Sequence, residues 1–191
     1  MKKSNLTSSK PSRALFIAAA LALSACGGGG DAETDAGIEA CNSISGGGTR
    51  VSFTSSAGCP SCNSADNARA ADGDFNSAAT LQIGPGGGAV IELRVTAQDG
   101  VIYPSGSSYG VVYSISANSQ AGLTPSVVTY LDGVQQETRA ISINGVGGGG
   151  GQKQAAQFTS TRQYDAVAYS INRAGSAGAL TAQLFEACAN R

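Results

Sequence analysis

The sequence predicts an all-β protein built as a single antiparallel β-sandwich of the jelly-roll kind. Three observations carry this expectation. Apolar and polar residues alternate with period two in about eight short segments. Glycine makes up 27 of the 191 residues and gathers between those segments, where it suits turns. No long amphipathic helical pattern competes with the strands.

The elements follow in chain order. Val51 and Phe53 open the series, and Ala79, Leu81 and Ile83 follow a cysteine-containing loop. In Ala89–Ala97, Ala89, Ile91, Leu93, Val95 and Ala97 share one face; Val90, Glu92, Arg94 and Thr96 share the other. That is a half-buried strand with a largely polar outer face. In Gly110–Ala117, Val111, Tyr113, Ile115 and Ala117 alternate with Val112, Ser114 and Ser116. Thr124–Leu131 and Glu137–Ile143 flank Leu131-Asp132-Gly133-Val134. Asp-Gly marks a tight hairpin, because both residues tolerate the positive φ of a type I′ turn. Val167, Tyr169 and Ile171 form the next set, and Leu180, Ala182 and Leu184 the last. Gly84–Gly88 reads as a tight proline-containing loop and Gly145–Gly151 as a glycine loop.

The first 40 residues follow different rules. Lys2, Lys3, Lys10 and Arg13 precede an apolar run from Ala14 to Leu23. The run fits the core of a signal peptide and is too short for a bilayer-spanning helix. Leu23-Ser24-Ala25-Cys26 then resembles the lipobox of bacterial lipoproteins. That resemblance implies a signal peptide over 1–25, removed on maturation, and a lipid-bearing N-terminus at Cys26. An ordinary secretory signal is the alternative. Gly27 after the cysteine, instead of Asp, is similar to the outer-membrane sorting signal of Gram-negative lipoproteins. Residues 26–40 read as a Gly-rich acidic tether, and 41–191 as the sandwich domain.

Charge narrows the partners. Removing the four basic residues of the first 25 leaves eight basic against thirteen acidic side chains, a net charge of −5. No basic patch exists, so nucleic acid is not an expected partner.

With Cys26 used for lipid, Cys41, Cys59, Cys62 and Cys188 remain, and four cysteines allow three pairings. An oxidising compartment favours bridges. Cys41 stands just before the first strand candidate and Cys188 just after the last, so Cys41–Cys188 would clip the chain ends together. Cys59–Cys62 is then the second bridge. A redox role for Cys59-Pro60-Ser61-Cys62 would need a βαβ setting, which is missing. A four-cysteine zinc site conflicts with the oxidising compartment.

Several motifs occur together in order. Cys59-Pro60-Ser61-Cys62 is followed by Asn67-Ala68 and Ala71-Asp72-Gly73-Asp74-Phe75-Asn76-Ser77-Ala78-Ala79-Thr80-Leu81. Later come Val128-Thr129-Tyr130-Leu131-Asp132-Gly133-Val134-Gln135-Gln136-Glu137, Tyr164-Asp165-Ala166-Val167 and Phe185-Glu186-Ala187-Cys188. Over residues 41–188 the chain resembles a β-sandwich module of large adhesin-like surface proteins of gliding bacteria, in the style of galactose-binding-like and discoidin folds. The resemblance implies a fold and a surface role more than an activity. The chain departs from that pattern in being one module on a lipid anchor.

These residues could support three chemistries. Asp72, Asp74 and Asn76 place oxygens at every second position, a donor type that Ca²⁺ prefers. The spacing is not that of an EF-hand, and the favoured reading is a turn whose side chains bond their own backbone. Resemblance to galactose-binding-like sandwiches, where a similar loop often holds structural calcium, points to the ion. Tyr103 and Tyr109 flank a hydroxyl-rich loop and could stack on a sugar; alternatively both cap the core with their hydroxyls in water. The chain has no histidine, so no Ser-His-Asp or Cys-His nucleophile can be assembled. Glu92, Asp99, Asp132, Glu137, Asp165 and Glu186 could supply a glycosidase pair, but they read as solvated or turn residues. The expectation is a non-enzymatic, lipid-anchored envelope protein that binds a glycan. The alternative is a structural lipoprotein that binds only protein partners.

Overall fold

A computed structural model describes residues 41–57, 59, 61–85, 88–117, 122–143, 151–175 and 179–191. The signal, the Cys26 attachment and the tether fall on residues 1–40, outside the described residues. So does most of the Gly145–Gly151 loop, and Gly84–Gly88 is described at Gly84, Pro85 and Gly88.

The described residues contain ten strands and one 3-10 turn, Asn67–Ala71. The strands are β1 (Arg50–Ser55), β2 (Asn63–Ala65), β3 (Ala79–Ile83), β4 (Ala89–Thr96) and β5 (Ser108–Ala117). They continue with β6 (Leu123–Leu131), β7 (Val134–Ala140), β8 (Gln154–Thr159), β9 (Ala166–Arg173) and β10 (Leu180–Asn190). Two five-stranded sheets form, in the orders β1-β4-β9-β6-β7 and β2-β3-β10-β5-β8. Every paired ladder is antiparallel. This is the expected β-sandwich. No described helix is long and apolar enough to cross a membrane.

The period-two faces meet as the sequence implied. Ile91, Leu93 and Val95 of β4 lie opposite Ile171, Tyr169 and Val167 of β9, and all six are fully buried. Leu81, Ile83, Val111, Ile115, Ala182 and Leu184 supply the facing layer from the second sheet. Each fully buried Leu, Ile or Val contributes roughly 1.5–3 kcal/mol. The β6–β7 hairpin turns on Asp132 and Gly133, with φ of 51° and 78°, as a type I′ turn requires. Because that turn has only two residues, β7 starts at Val134 and stops at Ala140. The expected Glu137–Ile143 strand is therefore shifted toward the turn.

The sequence pattern missed two strands. β2 has three residues, and β8 (QAAQFT) lacks the β-branched alternation that marks a strand. β8 exists because it pairs with β5 from Tyr113↔Gln154 to Ser108↔Thr159. Gly110 of β5 faces the Ala156 carbonyl so closely that no Cβ fits between them.

Cys188 lies inside β10, not beyond its end as the sequence suggested. Cys41 reaches it along a short added edge. Ile44 N–H donates to Ala187 O at 2.8 Å, and Ala189 N–H donates to Asn42 O at 2.9 Å. The Cys41–Cys188 bridge joins Cα atoms 5.2 Å apart across 147 residues. Cys59–Cys62 forms the second bridge, with Cα atoms 5.3 Å apart.

Candidate functional site

One end of the sandwich carries a row of aromatic rings. The segment after β4 crosses between the sheets, and Tyr103 forms an isolated antiparallel bridge with Tyr164. Tyr103 N–H donates to Tyr164 O at 2.8 Å, and Tyr164 N–H donates to Tyr103 O at 3.0 Å. The paired backbones hold the two rings in a stack, with centroids 5.0 Å apart and planes 14° from parallel. Tyr164 is fully buried, and its hydroxyl donates to Ser108 O at 2.7 Å. Tyr109 meets Tyr164 edge-on at 5.6 Å and tilts against Phe158 at 5.8 Å.

Tyr103 and Tyr109 therefore part company. Tyr109 is 0% exposed. It continues the inward set of Val111, Tyr113 and Ile115, so it offers no face to a sugar, and its hydroxyl donates to Glu137 Oε2 at 3.3 Å. Neither the stacking role nor the water-facing hydroxyl expected for Tyr109 survives. Tyr103 stays partly exposed, beside Ile102 at 46% exposure. The exposed guanidinium of Arg191 lies over the Tyr103 ring, 5.8 Å from its centroid.

The surrounding loops are tied down. Gly106 N–H donates to Ser160 O and Ser160 N–H donates to Ser107 O, both at 2.8 Å. Ser107, one of the hydroxyls of that loop, is buried at 4% exposure. Glu137 Oε1 accepts the Thr161 N–H at 2.8 Å and the Thr161 hydroxyl. Burial works against ionisation of Glu137, but the bonds from Thr161 and Tyr109 outweigh it and hold the carboxyl below its ordinary range. Burial pushes the Tyr109 phenol up to about 12 and raises Tyr103 as well. Both are thus neutral hydroxyls at physiological pH.

The acidic loop docks elsewhere, on the outer face of the second sheet. A bulge between Leu184 and Glu186 sets Glu186 opposite Val112. Val112 alternates with the core residues Val111 and Tyr113, so Glu186 shares its outward side. Glu186 is nonetheless 0% exposed. Its Oε2 accepts the Ser43 hydroxyl at 2.5 Å, and its Oε1 accepts the Gly73 N–H at 2.6 Å. Lys153 secures the same loop by donating to Phe75 O. Burial pushes Glu186 up to about 7; Ser43 and Gly73 oppose this, and the nearby Asp72 carboxyl adds to it.

Asp72, Asp74 and Asn76 do not converge as a ligand set. Asp72 Oδ1 accepts the Asp74 N–H at 2.8 Å, and Asp74 Oδ1 accepts the Asn76 N–H at 2.9 Å. Asp72 Oδ2 accepts the Ser77 hydroxyl at 2.6 Å. These are backbone-bonded turns of the kind Asp favours. Burial works against the Asp72 charge, but the bonds from Ser77 and Asp74 hold its carboxyl below the ordinary range. Among the described residues no three His, Cys, Asp or Glu side chains come together. What the fold does assemble is the pair Asp72 and Glu186. The second member lies 113 residues from Gly73, which donates to it, and no local spacing could have revealed it.

The other carboxylates have structural partners. Glu92 Oε1 binds the Arg94 guanidinium at 2.8 Å, and its Oε2 accepts the Tyr130 hydroxyl at 2.6 Å. Arg94 lies over Tyr130, its Cζ 3.4 Å from the ring centroid, a cation–π contact across the small residues Ala166 and Ala168 of β9. The sequence reading placed Glu92 on the outer face but missed this cluster, because Tyr130 comes from a strand two places away. Asp99 pairs with exposed Arg50 at 2.8 Å, and Asp165 Oδ2 accepts the Asp132 N–H at 2.9 Å.

No family model and no curated protein sequence matches the chain. Among solved structures, the glycoside hydrolase domain of Endo-D from Streptococcus pneumoniae R6 superposes with a TM-score of 0.49 at 10% identity, over 74% of this chain and 22% of that one. CBM32-3 from a family 31 glycoside hydrolase of Clostridium perfringens gives 0.42 at 13% identity, over 81% and 97%. A fucose binding module of Streptococcus pneumoniae gives 0.41 at 15% identity, over 79% and 96%. This chain thus spans about a fifth of the Endo-D structure. The fold assignment rests on the strand orders above and not on these likenesses.

Proposed function

We propose that this protein is a non-enzymatic, glycan-binding β-sandwich, held at the bacterial outer membrane by lipid on Cys26. The observation that carries the binding reading is the Tyr103 ring. It is partly exposed at the end of the sandwich, and the two-way backbone bridge and the stack on Tyr164 hold it in place. A ring fixed before binding loses little conformational entropy when a sugar face packs on it. Tyr103 would supply the stacking surface, on the part of its ring that Tyr164 leaves uncovered.

The test is a glycan array probed with the full chain and with Tyr103→Ala. Wild type should bind a defined set of glycans, and the variant should lose at least about tenfold in affinity, the scale of one aromatic contact. Its melting temperature should fall only modestly, because the ring is partly exposed and the backbone bridge to Tyr164 needs no side chain at 103. An array on which neither protein binds any glycan would favour the alternative, an envelope lipoprotein that binds only proteins.

The anchor makes a separate prediction. Several acyl chains on Cys26 would hold the protein at a membrane, since each buried methylene contributes about 0.8 kcal/mol. Cys26→Ser should therefore move the protein from the membrane pellet to the soluble fraction. Retention in the pellet after a salt wash would overturn the lipoprotein reading.

Calcium also belongs to this proposal, at Asp72 and Glu186 instead of the Asp72, Asp74 and Asn76 set. A buried carboxyl beside a second carboxyl, with neither in an ion pair with Lys or Arg among the described residues, needs a proton or a cation. Hard oxygen donors suit Ca²⁺. Asp72 and Glu186 would hold it, and the ion would fasten the 72–77 loop to the second sheet.

A further inference from the structure

We propose that the glycan recognised at the Tyr103 end is anionic, its carboxylate or sulfate paired with Arg191. This rests on the Tyr103 reading and names the ligand class for that same site.

The local charges carry the inference. Arg191 is exposed, and its guanidinium lies over the Tyr103 ring, 5.8 Å from the centroid. Among the described residues neither Arg191 nor the exposed Arg162, two positions from Tyr164, joins a salt bridge. The nearby acids are committed elsewhere. Asp99, the one carboxylate of the segment between β4 and β5, is held by both contacts of Arg50, at 2.8 and 2.9 Å. Glu137 is bound by Thr161 and Tyr109. Asp165 is turned toward the β6–β7 turn, where it accepts the Asp132 N–H.

A guanidinium presents donors in a planar fork that matches a carboxylate or a sulfate, and it can do so while lying beside an aromatic ring. Tyr164 covers part of the Tyr103 ring and the Arg191 guanidinium lies over it at 5.8 Å, so a sugar would pack on the exposed remainder of the ring with an acidic substituent against that fork. A neutral sugar would bring no countercharge to it. The chain carries eight basic against thirteen acidic side chains after residue 25, so no long-range field draws in polyanions. Selectivity must come from this local placement, and only a shallow salt dependence should accompany it.

Calorimetry on the full chain with three oligosaccharides of equal length decides the matter: a galacto-oligosaccharide, its uronic-acid counterpart and a sulfated form. The acidic members should bind about tenfold or more tightly than the neutral one, the scale of one charge-assisted hydrogen bond. Arg191→Gln should erase that advantage and leave the neutral sugar's affinity within twofold. Arg191→Lys should keep most of it, and Tyr103→Ala should weaken all three. The uronate and sulfate arms show which acid is meant. If the neutral sugar binds as tightly as the acidic ones, or Arg191→Gln changes nothing, the anionic assignment is overturned while the Tyr103 site stands. If Tyr103→Ala leaves acidic binding intact, the site itself is wrong.

Discussion

Removing the Cys41–Cys188 bridge lowers the melting temperature of the domain by roughly 10–15 °C, at the 2–4 °C per kcal/mol expected for a chain of this size. The bridge closes a loop of 147 residues. In the chain-entropy account, a loop of that length stabilises the fold by about 4–5 kcal/mol. The pair Cys41→Ser and Cys188→Ser tests it without leaving a free thiol, and thermal melts under oxidising and reducing conditions give the same comparison in the wild type. The Cys59–Cys62 loop spans three positions and its loss should cost only about 2 kcal/mol in the same account. A double variant as stable as the wild type would mean that the hydrogen bonds from Ile44 and Ala189 hold the N-terminal segment by themselves.

Glu186 makes the stability of the protein fall as pH rises through the neutral range, when measured in chelator. Its carboxyl titrates near the ordinary 4.5 in the unfolded chain and at about 7 in the fold. Below 4.5 both states hold the proton and the contribution is fully present. Between 4.5 and 7 only the fold keeps it, so stability drops with each step upward. At 1.36 kcal/mol per unit, the full loss is about 3 kcal/mol. Asp72 and Glu137 act in the opposite sense, because their folded carboxyls are depressed. Their contribution is present at neutral pH and disappears as pH falls through the acid range.

Urea titrations from pH 4.5 to 8 should show the slope in wild type and a nearly flat line for Glu186→Gln. A variant that keeps the wild-type slope would assign it to another group. Calcium extends the same experiment. An ion that binds only the fold adds about 2.7 kcal/mol at a hundred times its Kd. At pH 8 calcium should therefore raise the melting temperature of wild type and not of Glu186→Gln. Identical melts with calcium and with chelator would leave the pair to its proton and remove the ion from the proposed function.

Much of this architecture is written in local order. The alternation in Ala89–Ala97 specified a strand and which face it buries, since period two admits only one inward register for Ile91, Leu93 and Val95. Asp132-Gly133 marked its turn because few residues accept positive φ twice running. The Cys41–Cys188 pairing followed from two cysteines near opposite ends of the strand series, and Cys59–Cys62 was the pair that remained. The inward position of Tyr109 was also legible in principle, since it falls two residues before Val111 in the same buried set.

Other features depend on residues that are distant in sequence and on which sheet each strand joins. β8 has almost no strand signal of its own and is set by the edge that β5 offers. Tyr103 gains its rigidity from Tyr164, and Arg94 finds Tyr130 across an intervening strand. Glu186 looked like one more solvated acid, yet a bulge and two overlying segments bury it beside Asp72. Local alternation and turn chemistry determined the strands, because backbone sterics and the burial of one face act over a few residues. Only the tertiary structure decided which polar groups share a dry space, because burial and charge proximity depend on how the two sheets and their loops close over them.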